Sequence, residues 1–135
     1  MGLITREAAL STNAFRKVKI DVSEWTPGEE SFVWVRELSA REKDDFERSL
    51  MRRNGRKTEV STENVRAKLA VLCCCDENGA RIFQDDDVAA LTTRPAGVLS
   101  KIYEAAQKIN EVDDEDVDEL VKNSSTITKR DSGSN

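Results

Sequence analysis

From Lys17 to Val22 polar and apolar residues alternate, with Lys17, Lys19 and Asp21 on one side and Val18, Ile20 and Val22 on the other. A period of two predicts a half-buried strand. A second strand is expected in SFVWVREL, and the SEWTPGEE between them holds a Pro27-Gly28 turn signal, so residues 17–38 read as an antiparallel hairpin with a wide loop. At Ser39 the pattern changes. Ser39 and Glu42 have capping-box spacing, in which each side chain satisfies a backbone N–H at a helix start. Phe46 and Leu50 then lie one turn apart, and RRNGRKTEVST is expected to end the helix at Asn54-Gly55 and continue as a polar linker. The next helix is expected from near Thr62, with Val65, Leu69 and Leu72 at i, i+4 and i+7. Its continuation LAVLCCC has no period, so residues 69–75 read either as helix or as a buried strand paired with ARIF.

In the second half, Asp85, Asp86 and Asp87 are expected to cap a short helix containing Val88 and Leu91. Pro95 suits the first turn of a longer helix, on which Val98, Leu99, Ile102, Tyr103, Ala106 and Ile109 form one stripe. An acidic stretch leads to a last short helix with Val117, Leu120 and Val121 on one side. The predicted fold is α+β and mainly helical, an N-terminal antiparallel β-hairpin packed on a small bundle of four to five helices. A mobile segment over 1–16 is expected to precede one domain over 17–122, divided into the hairpin at 17–38 and a helical part at 39–122. Residues 123–135 offer little to bury beyond Ile127 and read as a disordered tail.

Aromatic residues make up 5% of the chain and charged residues 35%, so the core must be built from aliphatic side chains on amphipathic elements. The net charge of −5 is unevenly spread: residues 1–70 hold 14 Lys and Arg against 12 Asp and Glu, residues 71–135 hold 7 against 14. A surface of that sign repels phosphate backbones. It steers towards basic partners. No run approaches the roughly 20 apolar residues that span a bilayer, and the start lacks the pattern of a signal peptide, so an intracellular protein without membrane contact is expected.

Cys73, Cys74 and Cys75 are adjacent, and adjacent side chains diverge rather than converge on one metal ion. They also lack C-x-x-C spacing, and the chain has no His, so they read as small buried hydrophobes. DENGARIFQDDD has the wrong register for a calcium loop, because Gly79 falls fourth rather than sixth and Asp87 occupies the place of the bidentate Glu. Arg48, Arg52, Arg53, Arg56 and Lys57 form a basic cluster, read as a helix end or as a docking surface for an acidic partner. The acidic pairs sit in polar runs, and neither a phosphate loop nor a nucleophile elbow appears. A non-enzyme without cofactor or metal is expected.

The order of FVWVRELSAREKDDFERSL, NVRAKLAVLCCCDENGARIFQDDDVAALTTRPAGVLSKIYEAAQKIN and DELVKNS resembles tail assembly chaperones of long-tailed bacteriophages, over about residues 17–124. The likeness lies in a Val-Arg-Glu-Leu strand end entering a capped helix, an apolar run into Asp-Glu-x-Gly-x-x-x-Phe, the DDDVAAL helix start and a closing Lys-Asn-Ser. Three cysteines replace the usual aliphatic run, which leaves a binding role undisturbed. The resemblance implies a binder, in the cytoplasm of the bacterial host, that solubilises the tape measure protein, helps recruit tail tube subunits, self-associates and is absent from the mature virion. Candidate partner-binding residues are Trp25 and Trp34, Arg52, Arg53 and Arg56, Tyr103, and the acidic Asp113, Asp116 and Glu119. The alternative is a small nucleic-acid-linked regulator using the patch from Arg48 to Lys57.

The resemblance further implies two protein lengths, made by a backward ribosomal slip, with Val121, Lys122 and Asn123 at the expected frameshift site. The gene should then read GUA, AAA and AAC or AAU at these codons, with an open frame overlapping downstream. A valine codon ending in another base, without that frame, would sink the slip at this site.

Overall fold

The computed structural model describes residues 1–11 and 15–111. A short exposed helix, α1 (Arg6–Ser11), buries nothing. The two alternating runs form β1 (Lys17–Asp21) and β2 (Phe32–Arg36), paired antiparallel with Lys19 opposite Trp34 and Ile20 opposite Val33. Directly opposed residues share a face, so Val22, Val33 and Val35 are buried on the inner side while Lys17, Lys19, Phe32 and Trp34 share the outer one. The connecting loop contains a 3-10 turn at Ser23–Trp25 and turns at Gly28, whose φ of 86° suits glycine.

β2 runs straight into α2 (Ala40–Ser49), and the predicted capping box is present: the Ser39 hydroxyl accepts from Glu42 N at 3.2 Å, and Glu42 Oε1 accepts from Ser39 N at 2.9 Å. The same carboxylate holds Arg36 in a fork, with Nη1 at 2.9 Å and Nη2 at 2.7 Å. Arg36 is only 6% exposed, so Glu42 serves as helix cap and as counterion to a buried cation. Phe46 and Leu50 turn inwards as expected.

The segment expected as a polar linker is instead a second hairpin, β3 (Met51–Asn54) and β4 (Lys57–Val60). Asn-Gly stops a helix, but it is equally a signal for a two-residue hairpin loop. Gly55 takes a φ of 67° and Met51 opposite Val60 gives the base an apolar pair. The basic cluster is therefore divided: Arg48 belongs to α2, while Arg52, Arg53, Arg56 and Lys57 belong to the hairpin.

α3 (Val65–Cys73) begins three residues later than expected. Ala67, Leu69, Ala70, Val71, Leu72 and Cys73 are all buried, because α2, α4 (Val88–Leu91), α5 (Ala96–Ile109) and β2 surround the helix. Arg66 at its start is exposed, but from Leu69 to Cys73 every residue is buried, and a helix covered on every side shows no period. Both readings of 69–75 thus hold in part: the helix ends at Cys73, and Cys74–Cys75 form β5, pairing with Val35 and Trp34 of β2. A bridge from Cys75 to Arg81 extends this edge. Asp85–Asp87 form a 3-10 turn, and Asp87 caps back onto Gln84 N at 2.8 Å rather than onto α4. On α5, Val98, Leu99, Ile102 and Ala106 are buried. The architecture is α+β, with the N-terminal β1–β2 hairpin packed on helices. The expected last helix and tail lie outside the described residues.

Glu42→Ala would leave Arg36 buried without a counterion and should cost about 3–5 kcal/mol, read from urea unfolding. Burial pushes the Glu42 carboxyl up, but the Arg36 fork and the Ser39 N–H outweigh it and hold the group below its ordinary 4.5. A depressed carboxyl stabilises the fold above its unfolded value, and that contribution is lost as pH falls through the folded value. The urea midpoint should therefore fall below about pH 4.5, and fall less in Glu42→Gln; equal acid sensitivity of the two proteins would contradict this.

Candidate functional site

The outer face of the sheet is aromatic where a solvated face would be polar. Phe32 and Trp34 stand two residues apart on β2, so both project outwards, with ring centroids 6.0 Å apart in an edge-on arrangement. Opposite them on β1, Lys19 Nζ lies 4.0 Å from the Phe32 ring centre and Lys17 Nζ 5.1 Å from that of Trp34. Lys17 also donates to the Glu77 carbonyl. The alternation that buries the valines thus also places two cations over two aromatic rings.

Beside these rings is an open groove of about 380 Å³, lined by Phe32, Trp34, Cys75, Asn78 and Ile82 among others. Its wall is the turn after β5, in which Asp76 Oδ1 accepts from Asn78 N at 2.8 Å and Ala80 N at 3.0 Å, so the Asp expected in a turn is engaged by its own backbone. Phe32 is 46% exposed and Ile82 50%. Trp34 Nε1 is buried without an acceptor among the described residues. Such an orphaned donor costs about 1–3 kcal/mol, which an acceptor brought by a partner would recover. A second groove, of about 480 Å³ beside α2 and α3, has an apolar floor of Phe46, Val71, Leu72 and Val88 and a charged rim that includes Glu42, Asp45, Lys68, Arg81 and Asp85.

The other candidate residues are dispersed. Trp25 faces the core, its Nε1 donating to the Pro95 carbonyl at 3.4 Å while its own carbonyl accepts from Arg94 at 3.0 Å, so it fastens the hairpin loop to the start of α5. Tyr103 is half-buried on α5 under the Arg66 guanidinium, 5.7 Å from its ring centre. Arg52, Arg53 and Arg56 stand together on the β3–β4 hairpin, and Arg52 pairs with Glu63 at 2.9 Å. Asp113, Asp116, Glu119 and the Val121-Lys122-Asn123 site lie outside the described residues. Phe32 and Ile82 were not singled out in the sequence; outward register across from Asp21, two residues from Trp34 on the same strand, was the signal for Phe32, whereas Ile82 depends on the late pairing of β5.

The cysteines divide between faces: Cys74 opposes inward Val35, and Cys75 opposes outward Trp34. All three are buried. Burial pushes the Cys73 thiol up to about 12, only partly offset by Arg36, and raises Cys74 and Cys75 as well. Thiols held protonated are poor nucleophiles. Among the described residues, no group of three or more His, Cys, Asp or Glu could hold a metal ion, and no helix is long and apolar enough to cross a membrane.

Residues 4–126 match a family model described as phage tail assembly chaperone. Among solved structures, the chain is similar to the tail assembly chaperone of bacteriophage HK97, at 17% identity over 74% of this chain and 90% of that one, with a TM-score of 0.47. No curated protein matches.

An aromatic thiol reagent should find no fast-reacting cysteine in the native protein at mildly alkaline pH and three after denaturation. Rapid modification of Cys75 before unfolding would show that the sheet edge opens.

Proposed function

This chain belongs to the phage tail assembly chaperone family, and on that premise we propose that it binds and solubilises the tape measure protein. It helps bring tail tube subunits to that complex, chiefly through a longer frameshifted form, self-associates, acts in the cytoplasm of the bacterial host and is absent from the mature virion. The role is that of a binder rather than an enzyme.

The observation that carries the tape measure contact is the outer face of the sheet. Phe32 and Ile82 are exposed beside a groove that also holds the unpaired Trp34 N–H. Apolar surface flanked by polar residues marks a docking site, and an amphipathic helix presents apolar anchors at i, i+3, i+4 and i+7 suited to such a groove. Lys17 and Lys19 beside the rings add cations for acidic residues on the flank of that helix.

Phe32→Ser combined with Ile82→Ser removes exposed apolar area without opening the core. Co-expressed with the tape measure protein, this variant should keep its own melting temperature while the soluble tape measure yield falls about tenfold or more. A yield equal to that of the wild type would remove the sheet face from the contact.

A further inference from the structure

The three-stranded sheet has two edges, and they differ. β5 is covered, because Cys75 bridges to Arg81 and Ile82 N donates to the Cys74 carbonyl. β1 is the other edge. Its register with β2 fixes which backbone groups are engaged: Glu37 N donates to the Arg16 carbonyl and Val22 N to the Ser31 carbonyl, so by alternation residues 16, 18, 20 and 22 face β2. The N–H and C=O groups of Lys17, Lys19 and Asp21 therefore point away from the sheet, and among the described residues none of them has a hydrogen-bond partner. All three residues are exposed.

An open edge is normally blunted by lysines, and β1 carries two. Here both lean the other way. Lys19 Nζ lies over the Phe32 ring and Lys17 Nζ over the Trp34 ring, both on β2, and Lys17 reaches on to the Glu77 carbonyl in the turn after β5. The ammonium groups are thus drawn across the face of the sheet, which leaves the edge backbone uncovered. Neither has a carboxylate partner among the described residues. On the inner face Val18 is 40% exposed although Val22, Val33 and Val35 are buried, so the apolar layer stops one strand short of full cover.

We propose that the β1 edge receives an extended segment of a partner protein, added as a fourth strand, in which acidic residues alternate with apolar ones. Three outward pairs of N–H and C=O groups, about 7 Å apart, match a backbone with free groups at the same interval, which an extended chain has and a helix lacks. Charge and apolar surface then select the side chains. Residues of the added strand beside Lys17 and Lys19 lie on the outer face, where carboxylates meet two unpaired cations. Those between them lie beside Val18 and Ile20, where apolar side chains cover the exposed valine. The inference goes beyond the tape measure contact and does not depend on it, since the chain is titrated with a peptide alone.

The test is titration of the full isotope-labelled chain with the synthetic peptide Thr-Val-Glu-Val-Glu-Val-Thr, blocked at both ends, with amide exchange read by NMR. The peptide should slow exchange at Lys17, Lys19 and Asp21 and leave Val18 and Ile20, already bonded to β2, nearly unchanged. N-methylation of alternate peptide amides should act by parity. The set that faces the edge, the Glu amides in an antiparallel strand or the Val amides in a parallel one, should weaken binding about tenfold or more, and the other set should not. Lys17→Glu combined with Lys19→Glu should reverse the preference, binding a peptide with Lys in place of Glu about tenfold or more tighter than the original. Unslowed exchange at the three edge residues, slowed exchange confined to the groove at Phe32 and Ile82, equal effects of the two methylated sets, or a charge-swapped chain that still prefers the Glu peptide would each overturn the proposal. Slowed exchange at the same three amides in the chain alone, growing with its concentration, would overturn it too and assign the edge to a second copy.

Discussion

The Arg36–Glu42 fork sits at the one place where sheet and helices must be held at a fixed angle. Arg36 ends β2, Glu42 opens α2, and five residues separate them, so the pair fixes the chain's exit from the sheet. Arg36 Nη1 also donates to the Glu37 carbonyl at 2.7 Å, and the Phe15 ring covers the guanidinium at 4.9 Å. A buried ion pair stabilises only when its remaining hydrogen-bonding capacity is satisfied. Here that is nearly achieved, with Arg36 Nε left over. What the pair contributes above all is direction: it sets where α2 points, and hence where the following hairpin emerges.

A neighbouring device fastens the opposite side of the same junction. Asn110, at the end of α5, accepts from Leu38 N at 2.7 Å through Oδ1 and donates to the Ala106 carbonyl at 2.9 Å through Nδ2. One side chain thus ends a helix, satisfies the N–H between β2 and α2, and reaches the Cys73 sulfur. Strand exit, helix start and the ends of α3 and α5 converge within a few residues, although they are distant in sequence.

Elements with one solvated side were legible from residues alone. β1, α2 and α5 each show a clean period, because a face in water demands polar residues at regular intervals, while β2, apolar on both faces from Phe32 to Val35, was legible from its β-branched and aromatic residues, and the capping box at Ser39 supplied a boundary as well. α3 was ambiguous because no such face continues past Lys68. The β3–β4 hairpin was missed because Asn54-Gly55 obeys two rules, helix stop and tight hairpin, and only pairing between Met51 and Val60 decides between them. The aromatic site was half legible: Trp34 stood out by residue type, while the groove beside it requires β5 and the Asp76 turn, which are tertiary events. Trp25 shows the converse, since a tryptophan conspicuous in a polar loop turns out to fasten that loop to α5.

Cys73 is the last residue of a helix and Cys74 the first of a strand, with no loop residue between them. Helix and sheet are therefore coupled in length. Adding or deleting one residue here would carry Cys74 to the outer face and Cys75 to the inner one, and displace the Asp76 turn from beside β2. Small apolar side chains can be exchanged at this junction so long as volume is kept, but its length cannot change. Insertions and deletions should accumulate instead at loops that join elements without setting register, so the spacing from α3 to β5 is a better marker of descent than the residues that fill it.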